Sequence, residues 1–173
     1  MVIEITKKWH ICCNAVLKRP PSSETLQSNV AFMKLWRNVH RLFAEKGLLD
    51  NVENTYLQFQ EKIIFYFVDS LDTLSPICTF RFLDIVNIIL ANCLKASKSC
   101  PYYDKIAHYL LETLSIRIRT LLDQYNDVPS GFLGIAQKSI SNSYVESGRS
   151  KLLRKLGLLL FYCCNINCKF GGK

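Results

Sequence analysis

The chain has 173 residues, of which 49% are hydrophobic and 12% aromatic, and its formal net charge is +8. This length and apolar content suffice for one domain with a buried core, and they exclude a largely disordered chain. Seven glycines and five prolines are too few for a loop-rich fold.

Eight cysteines lie mostly within apolar helical patterns rather than at turns, which is typical of reduced thiols and not of a secreted disulfide framework. They are Cys12, Cys13, Cys78, Cys93, Cys100, Cys163, Cys164 and Cys168. Their spacing matches no zinc module, so we predict neither a metal nor another cofactor. The N-terminus lacks the apolar core of a signal peptide, and the apolar runs are too short to cross a bilayer. We therefore predict a cytoplasmic protein without a transmembrane segment.

The first element covers residues 3–17, and its apolar pattern fits either a helix or a strand. Pro20 and Pro21 follow, and a double proline cannot continue a helix. Residues 1–21 are therefore predicted to be an N-terminal segment with a proline linker, ahead of a helical domain at 22–173.

Four helices with recognisable starts come next, because each begins at a capping side chain or at a first-turn proline. The predicted starts are Ser22 or Ser23, Asp50 with Glu53, Ser75 with Pro76, and Pro101. The first of these helices should end at Gly47, which suits a left-handed C-cap, and the fourth should reach Gln124. A weaker helix is predicted at 132–145 and a last one at about 149–165.

Every second helix start, near Ser23, Ser75 and Ser130, recurs after about 52 to 55 residues, which predicts an all-α fold of three antiparallel helix pairs. The pairs form either a helical-repeat-like array or a compact bundle. Residues 153–160 match the Leu-x-x-Leu-Gly-x-x-Leu spacing of the first helix of a repeat pair. Because the sequence stops soon afterwards, the last hairpin is predicted to be incomplete, and the domain to be truncated at its C-terminus.

No pattern in the chain demands catalysis. The three histidines fall on three different elements, and the sequence contains no metalloprotease, nucleophile-elbow or phosphate-loop motif. Asp69, Asp72 and Asp84 are the remaining acid–base candidates, and we interpret them as structural carboxylates, because two of them lie at a helix boundary where they can cap the next helix. We therefore predict a protein that is not an enzyme.

Positive charge is concentrated near the C-terminus, where seven basic residues between 137 and 173 face one acid. Such a cluster neutralises phosphates, and nearby aromatic residues offer stacking surfaces for single-stranded RNA. The predicted RNA-binding residues are Lys138, Arg149, Lys151, Arg154, Lys155 and Lys169, with Tyr144, Phe161, Tyr162 and Phe170 as the aromatics. The alternative is an ordinary solvated helix face, and protein partners are expected in either case.

The last helix is also rich in leucine, and residues 156–161 are predicted to form an exposed apolar face. Exposed apolar patches promote association. We therefore expect self-association through this helix.

Two family resemblances lie in this region. Gly148-Arg149 followed by Gly157 resembles the first conserved motif of Bcl-2-like apoptosis regulators, which implies an apolar groove for an amphipathic helix. The segment Ser147-Gly-Arg-Ser-Lys-Leu-Leu-Arg-Lys-Leu-Gly-Leu-Leu-Leu-Phe-Tyr-Cys-Cys164, followed by Lys169-Phe-Gly-Gly-Lys173, resembles the helical domain of the TOPAZ family, the testis- and ovary-specific PAZ-domain-containing proteins. That resemblance implies a cytosolic protein of germ-cell differentiation and spermatogenesis with a link to RNA. It implies no catalytic or binding residue.

Overall fold

A computed structural model describes residues 2–19, 26–47, 54–95, 100–125 and 147–170. Within these ranges the chain forms six α-helices and no strand, which confirms the predicted all-α fold. The helices are α1 (Val2–Leu17), α2 (Leu26–Glu45), α3 (Asn54–Asp69), α4 (Pro76–Lys95), α5 (Pro101–Gln124) and α6 (Gly148–Phe170). The predicted helix at 132–145 and the capping box at Asp50 lie outside the described residues.

Local chemistry accounts for several helix ends. Ser75 Oγ accepts a hydrogen bond from the backbone N–H of Cys78 at 3.4 Å and caps α4, as predicted from its position before Pro76. Ser147 Oγ caps α6 in the same way, because it accepts from the N–H of Ser150 at 3.1 Å. Gly47 follows α2 with φ +64°, the left-handed conformation that only glycine adopts without strain.

Contacts between side chains set the direction of each helix. α3 and α5 run parallel, since Lys105 Nζ contacts Glu61 at 2.6 Å and, further along both helices, Arg117 Nη1 donates to the carbonyl of Val68 at 2.7 Å. α1 and α3 are also parallel, and so are α4 and α6, because in each pair the successive contacts move towards the C-terminal ends of both helices. α2 and α3 run antiparallel, because aromatic rings meet in reverse order along them.

The six helices thus form two layers of parallel helices, α1–α3–α5 and α2–α4–α6, and α1 on α2 and α5 on α6 close the two ends. Consecutive helices are antiparallel, as the predicted helix pairs require. The backbones of α2 and α3, however, face each other across bulky aromatic side chains rather than in close contact. The aromatic rings between α2 and α3 keep the two helix axes apart, because the rings fill the closely packed space between them.

Aromatic residues fill the space between the layers. The ring of Phe67 on α3 lies 6.0 Å from Phe32 and 5.6 Å from Phe82, and Trp36 lies 6.2 Å from Phe82. Trp9 of α1 joins this cluster with no exposed surface, so residues 2–17, whose pattern fitted a helix or a strand, form a helix that belongs to the same core. The boundary predicted at residue 21 falls between two helices that share this core.

α6 packs on both α4 and α5 and supplies part of the core. Leu156 and Leu159, which were predicted to lie on an exposed face, are fully buried, because they occupy the side of α6 that faces these two helices. Leu158 and Phe161 of the same predicted face are exposed.

One described helix, α4, has the length and apolar composition to cross a bilayer, and 61% of the apolar window is buried inside the fold. Core helices of folded domains share this composition. The described residues therefore contain no clear transmembrane segment.

Candidate nucleic-acid interface

Arg149, Arg154 and Lys169 lie on the exposed side of α6. Lys169 Nζ donates a hydrogen bond to the backbone carbonyl of Leu94 at 2.7 Å and so caps the C-terminal end of α4. Lys138 lies outside the described residues.

Lys155 does not belong to an exposed basic surface. It is only 8% exposed, and its ammonium forms an ion pair with the carboxylate of Asp84 on α4. Its backbone carbonyl also accepts from Asn87 Nδ2 at 3.2 Å. Lys155 therefore joins α6 to α4, and its charge is used inside the protein rather than for a phosphate.

Lys151 lies one turn before Lys155 on the same side of α6. Its ammonium sits 5.2 Å from the centre of the Phe80 ring, a cation–π distance. Because the side chain is half-buried against α4, its charge borders the space between α4 and α2 rather than the outer face of α6.

That space is a groove of about 740 Å³ formed by α2, α4 and α6. Apolar side chains form its base, and five basic residues and one acid border it. The basic residues are Lys34, Arg37, Arg41, Arg81 and Lys151, and the acid is Asp84. We call this set of five the basic groove. Asp84 is paired with Lys155, and Arg41 is 3.6 Å from Glu45, so the groove keeps an excess of positive charge that comes mainly from the other four cations.

The periodicity of α2 explains how the groove is built. Trp36, Val39 and Phe43 are buried and face the core, and residues 34, 37 and 41 follow one another at three- and four-residue intervals beside them. These cations lie about a hundred residues before the C-terminal cluster in the sequence, so only the packing of α2 and α6 on α4 brings them to Lys151. Reasoning on local charge missed them for that reason.

A side pocket of about 210 Å³ adjoins the groove, and Arg37 and Arg41 line both. His40 lies in its wall with 2% exposure, and its Nε2 is 2.9 Å from Asn92 Nδ2. Burial lowers the pKa of His40 from 6.5 to about 4, because the interior disfavours the imidazolium. The histidine is therefore neutral at physiological pH.

The other titratable candidates have structural partners. Tyr109 Oη donates to Asp69 at 2.6 Å, Arg117 pairs with Asp72 at 2.8 Å, Lys155 pairs with Asp84, His108 pairs with Glu112 at 3.3 Å, and the His10 ring stacks on Phe59 at 4.8 Å. Asp69 therefore connects α3 to α5, Asp84 connects α4 to α6, and Asp72 connects the turn after α3 to α5. All three have the structural role that the sequence predicts for them.

All eight cysteines are free, and four of them are buried. Burial raises the pKa of the Cys93 and Cys163 thiols to about 12, so both remain protonated. In the part of the chain that the structure describes, no group of three metal-ligating side chains is positioned to hold an ion.

Of the predicted stacking residues, Phe161 is 60% exposed and Tyr162 is half-buried. The side chains of Tyr144 and Phe170 lie outside the described part. Neither Phe161 nor Tyr162 borders the basic groove.

No family model, curated protein or solved structure matches the chain. The residues that carry the two family resemblances lie mainly on α6, where Gly148 is buried and Gly157 is exposed. Membership of the TOPAZ family and of the Bcl-2-like regulators therefore stays a prediction from those residues.

Proposed function

We propose that this protein is a non-enzymatic helical interaction protein that binds single-stranded RNA in the basic groove. The observation that carries the proposal is the gathering of five cations from three helices along one concave surface. Isolated surface lysines and arginines are ordinary, whereas a row of five cations along a surface that contains one carboxylate, with a second at the edge on Arg41, has the excess positive charge that attracts a polyanion.

The dimensions suit a flexible strand. From Val30 to Arg41 the groove follows about three turns of α2, or roughly 16 Å. The large ring at its base, Phe80, is 2% exposed and lies under Lys151, so it offers no open platform for a base. Phosphate contacts therefore dominate, and we expect binding that tolerates many sequences and weakens steeply with salt.

The test is a fluorescence titration of a labelled single-stranded RNA of mixed sequence at several salt concentrations. Arg37→Glu combined with Arg81→Glu should weaken binding at least about tenfold, and the slope of log K against log salt should become shallower by about 0.7 for each lost phosphate contact. The matched control is Lys8→Glu with Arg119→Glu, which makes the same change in net charge at exposed positions on α1 and α5.

A second pair, Arg149→Glu with Arg154→Glu, separates the basic groove from the exposed side of α6. Loss of affinity in this pair alone would move the RNA site to the surface predicted from sequence. Equal loss in all three pairs would mean attraction by net charge without a site and would contradict the proposal.

The wider biological role rests on the resemblance to the TOPAZ family. We propose a cytoplasmic protein that acts in germ-cell differentiation, and the free thiols support a reducing compartment. Antibody staining of gonad sections tests this, and staining confined to other tissues or to the secretory pathway would contradict it. The Bcl-2-like alternative requires an apolar groove, whereas the groove described here is bordered by charge.

A further inference from the structure

α6 presents an apolar surface on its outer side as well as on its core side. Leu153 is 51% exposed, Leu158 42% and Phe161 60%. Exposed large apolar side chains are common singly, but these three lie within about two turns of one helix. The outer side of α6 therefore has the composition of an interface.

The shape of this surface is set by Gly157. It lies one turn after Leu153 and one turn before Phe161, and a Cβ atom added to it would meet nothing within 4 Å. The missing side chain leaves a shallow depression between two large apolar neighbours, over roughly 12 Å of helix. A crossing helix places a large side chain into a depression of this kind.

The charge of α6 selects the partner. Residues 148–170 include five basic residues and no acid, and the exposed Arg149 and Arg154 lie within a turn of Leu153. A second copy of this chain would bring like charges together, on a protein whose net charge is already +8. A helix with apolar residues on one side and carboxylates along the edge complements both features.

We propose that Leu153, Gly157, Leu158 and Phe161 form a docking surface for an acidic amphipathic helix of a partner protein. A large apolar side chain of that helix sits over Gly157, between Leu153 and Phe161. Its carboxylates lie towards Arg149 and Arg154 and fix the direction of the bound helix.

This surface is separate from the basic groove. Lys155 projects towards Asp84 of α4, nearly opposite Gly157, because residues two apart on a helix point in nearly opposite directions. Lys151 lies against Phe80 of α4, about 120° around the helix from Gly157. The partner helix and a ligand in the groove can therefore bind together, and substitutions at one surface leave the other intact.

The experiment is selection of displayed helices of about 18 residues against the intact chain, with glutamates at the polar positions and varied apolar residues at the anchor positions. A parallel library carries lysine in place of glutamate. We expect binders from the acidic library alone, and Phe161→Glu should weaken each at least about tenfold. Ile116→Glu makes the same kind of change at a residue of α5 that is 82% exposed, and it should leave affinity unchanged.

Gly157→Ala separates docking from folding. Alanine favours the helix and fills the depression without a clash, so affinity should fall several-fold while the thermal midpoint stays the same or rises. The proposal is overturned if the acidic library yields no binder, if the lysine library does equally well, or if Phe161→Glu has no effect. Sedimentation that finds a dimer abolished by Phe161→Glu would assign the surface to a second copy and would also overturn it.

Discussion

Acidification should destabilise this fold through His40. The side chain is buried beside Arg37 and Arg41, and its pKa falls from 6.5 in the unfolded chain to about 4 in the folded one. Between these values the unfolded state binds a proton that the folded state does not, so stability falls as the pH falls. The pKa gap corresponds to about 3 kcal/mol, present in full above pH 6.5 and lost by about pH 4.

Urea unfolding between pH 4 and pH 8 measures this loss, with His40→Gln as the reference that keeps a polar side chain but cannot titrate. Subtracting the unfolding free energy of His40→Gln from that of the unmodified protein at each pH removes the contribution of the carboxylates. This difference in unfolding free energy should change by about 3 kcal/mol between pH 4 and pH 8. His108→Gln, which removes an exposed histidine, is the matched control. A difference curve for His40→Gln that stays flat, or an NMR titration of His40 centred near 6.5, would refute the reasoning.

Three further substitutions test the interior by urea denaturation. Asp84→Ala leaves the ammonium of Lys155 buried without its partner and should lower the free energy of unfolding by about 2 to 3 kcal/mol. The loss is smaller than for a fully buried pair because Asp84 is half exposed. Adding Lys155→Met should restore stability, and a further loss of stability would contradict the account. Neither amide atom of the fully buried Gln60 has a hydrogen-bond partner, so Gln60→Leu should raise stability by about 1 to 3 kcal/mol; a lower midpoint would indicate a partner for that amide. Leu156→Ala should cost about 2 to 5 kcal/mol through the cavity that it leaves between α6 and its neighbours, and a cost below 1 would place that residue at the surface.

The helices were largely predictable because their ends depend on local chemistry. Ser75 and Gly47 act on the backbone within a few residues, so the sequence alone identifies them as caps. The pattern of residues 3–17 alone fits either a helix or a strand, although the buried Trp9, Cys13 and Val16 are spaced by four and three residues and mark a helix face. Polar residues between them obscured that period.

The packing partners could not be predicted in the same way. Every helix has an apolar side, and nothing local specifies that α2 lies on α4 rather than tightly on α3. The basic groove depends on that choice, since Arg37 and Arg81 are far apart in sequence. The burial of Lys155 could have been predicted from the sequence, because Lys155 lies three residues after Leu152 and four before Leu159, on the same side of the helix as both.

The position of α6 has a consequence for synthesis. α4 and α5 leave the ribosome before α6, so the surfaces that α6 covers lack this partner until residues 148–170 follow. Leu152, Leu156 and Leu159 are fully buried against these surfaces, so this part of the core is completed only by the last helix to be synthesised among the described residues. A chain that ends between residues 125 and 148 would have α4 and α5 without the helix that covers their apolar surfaces.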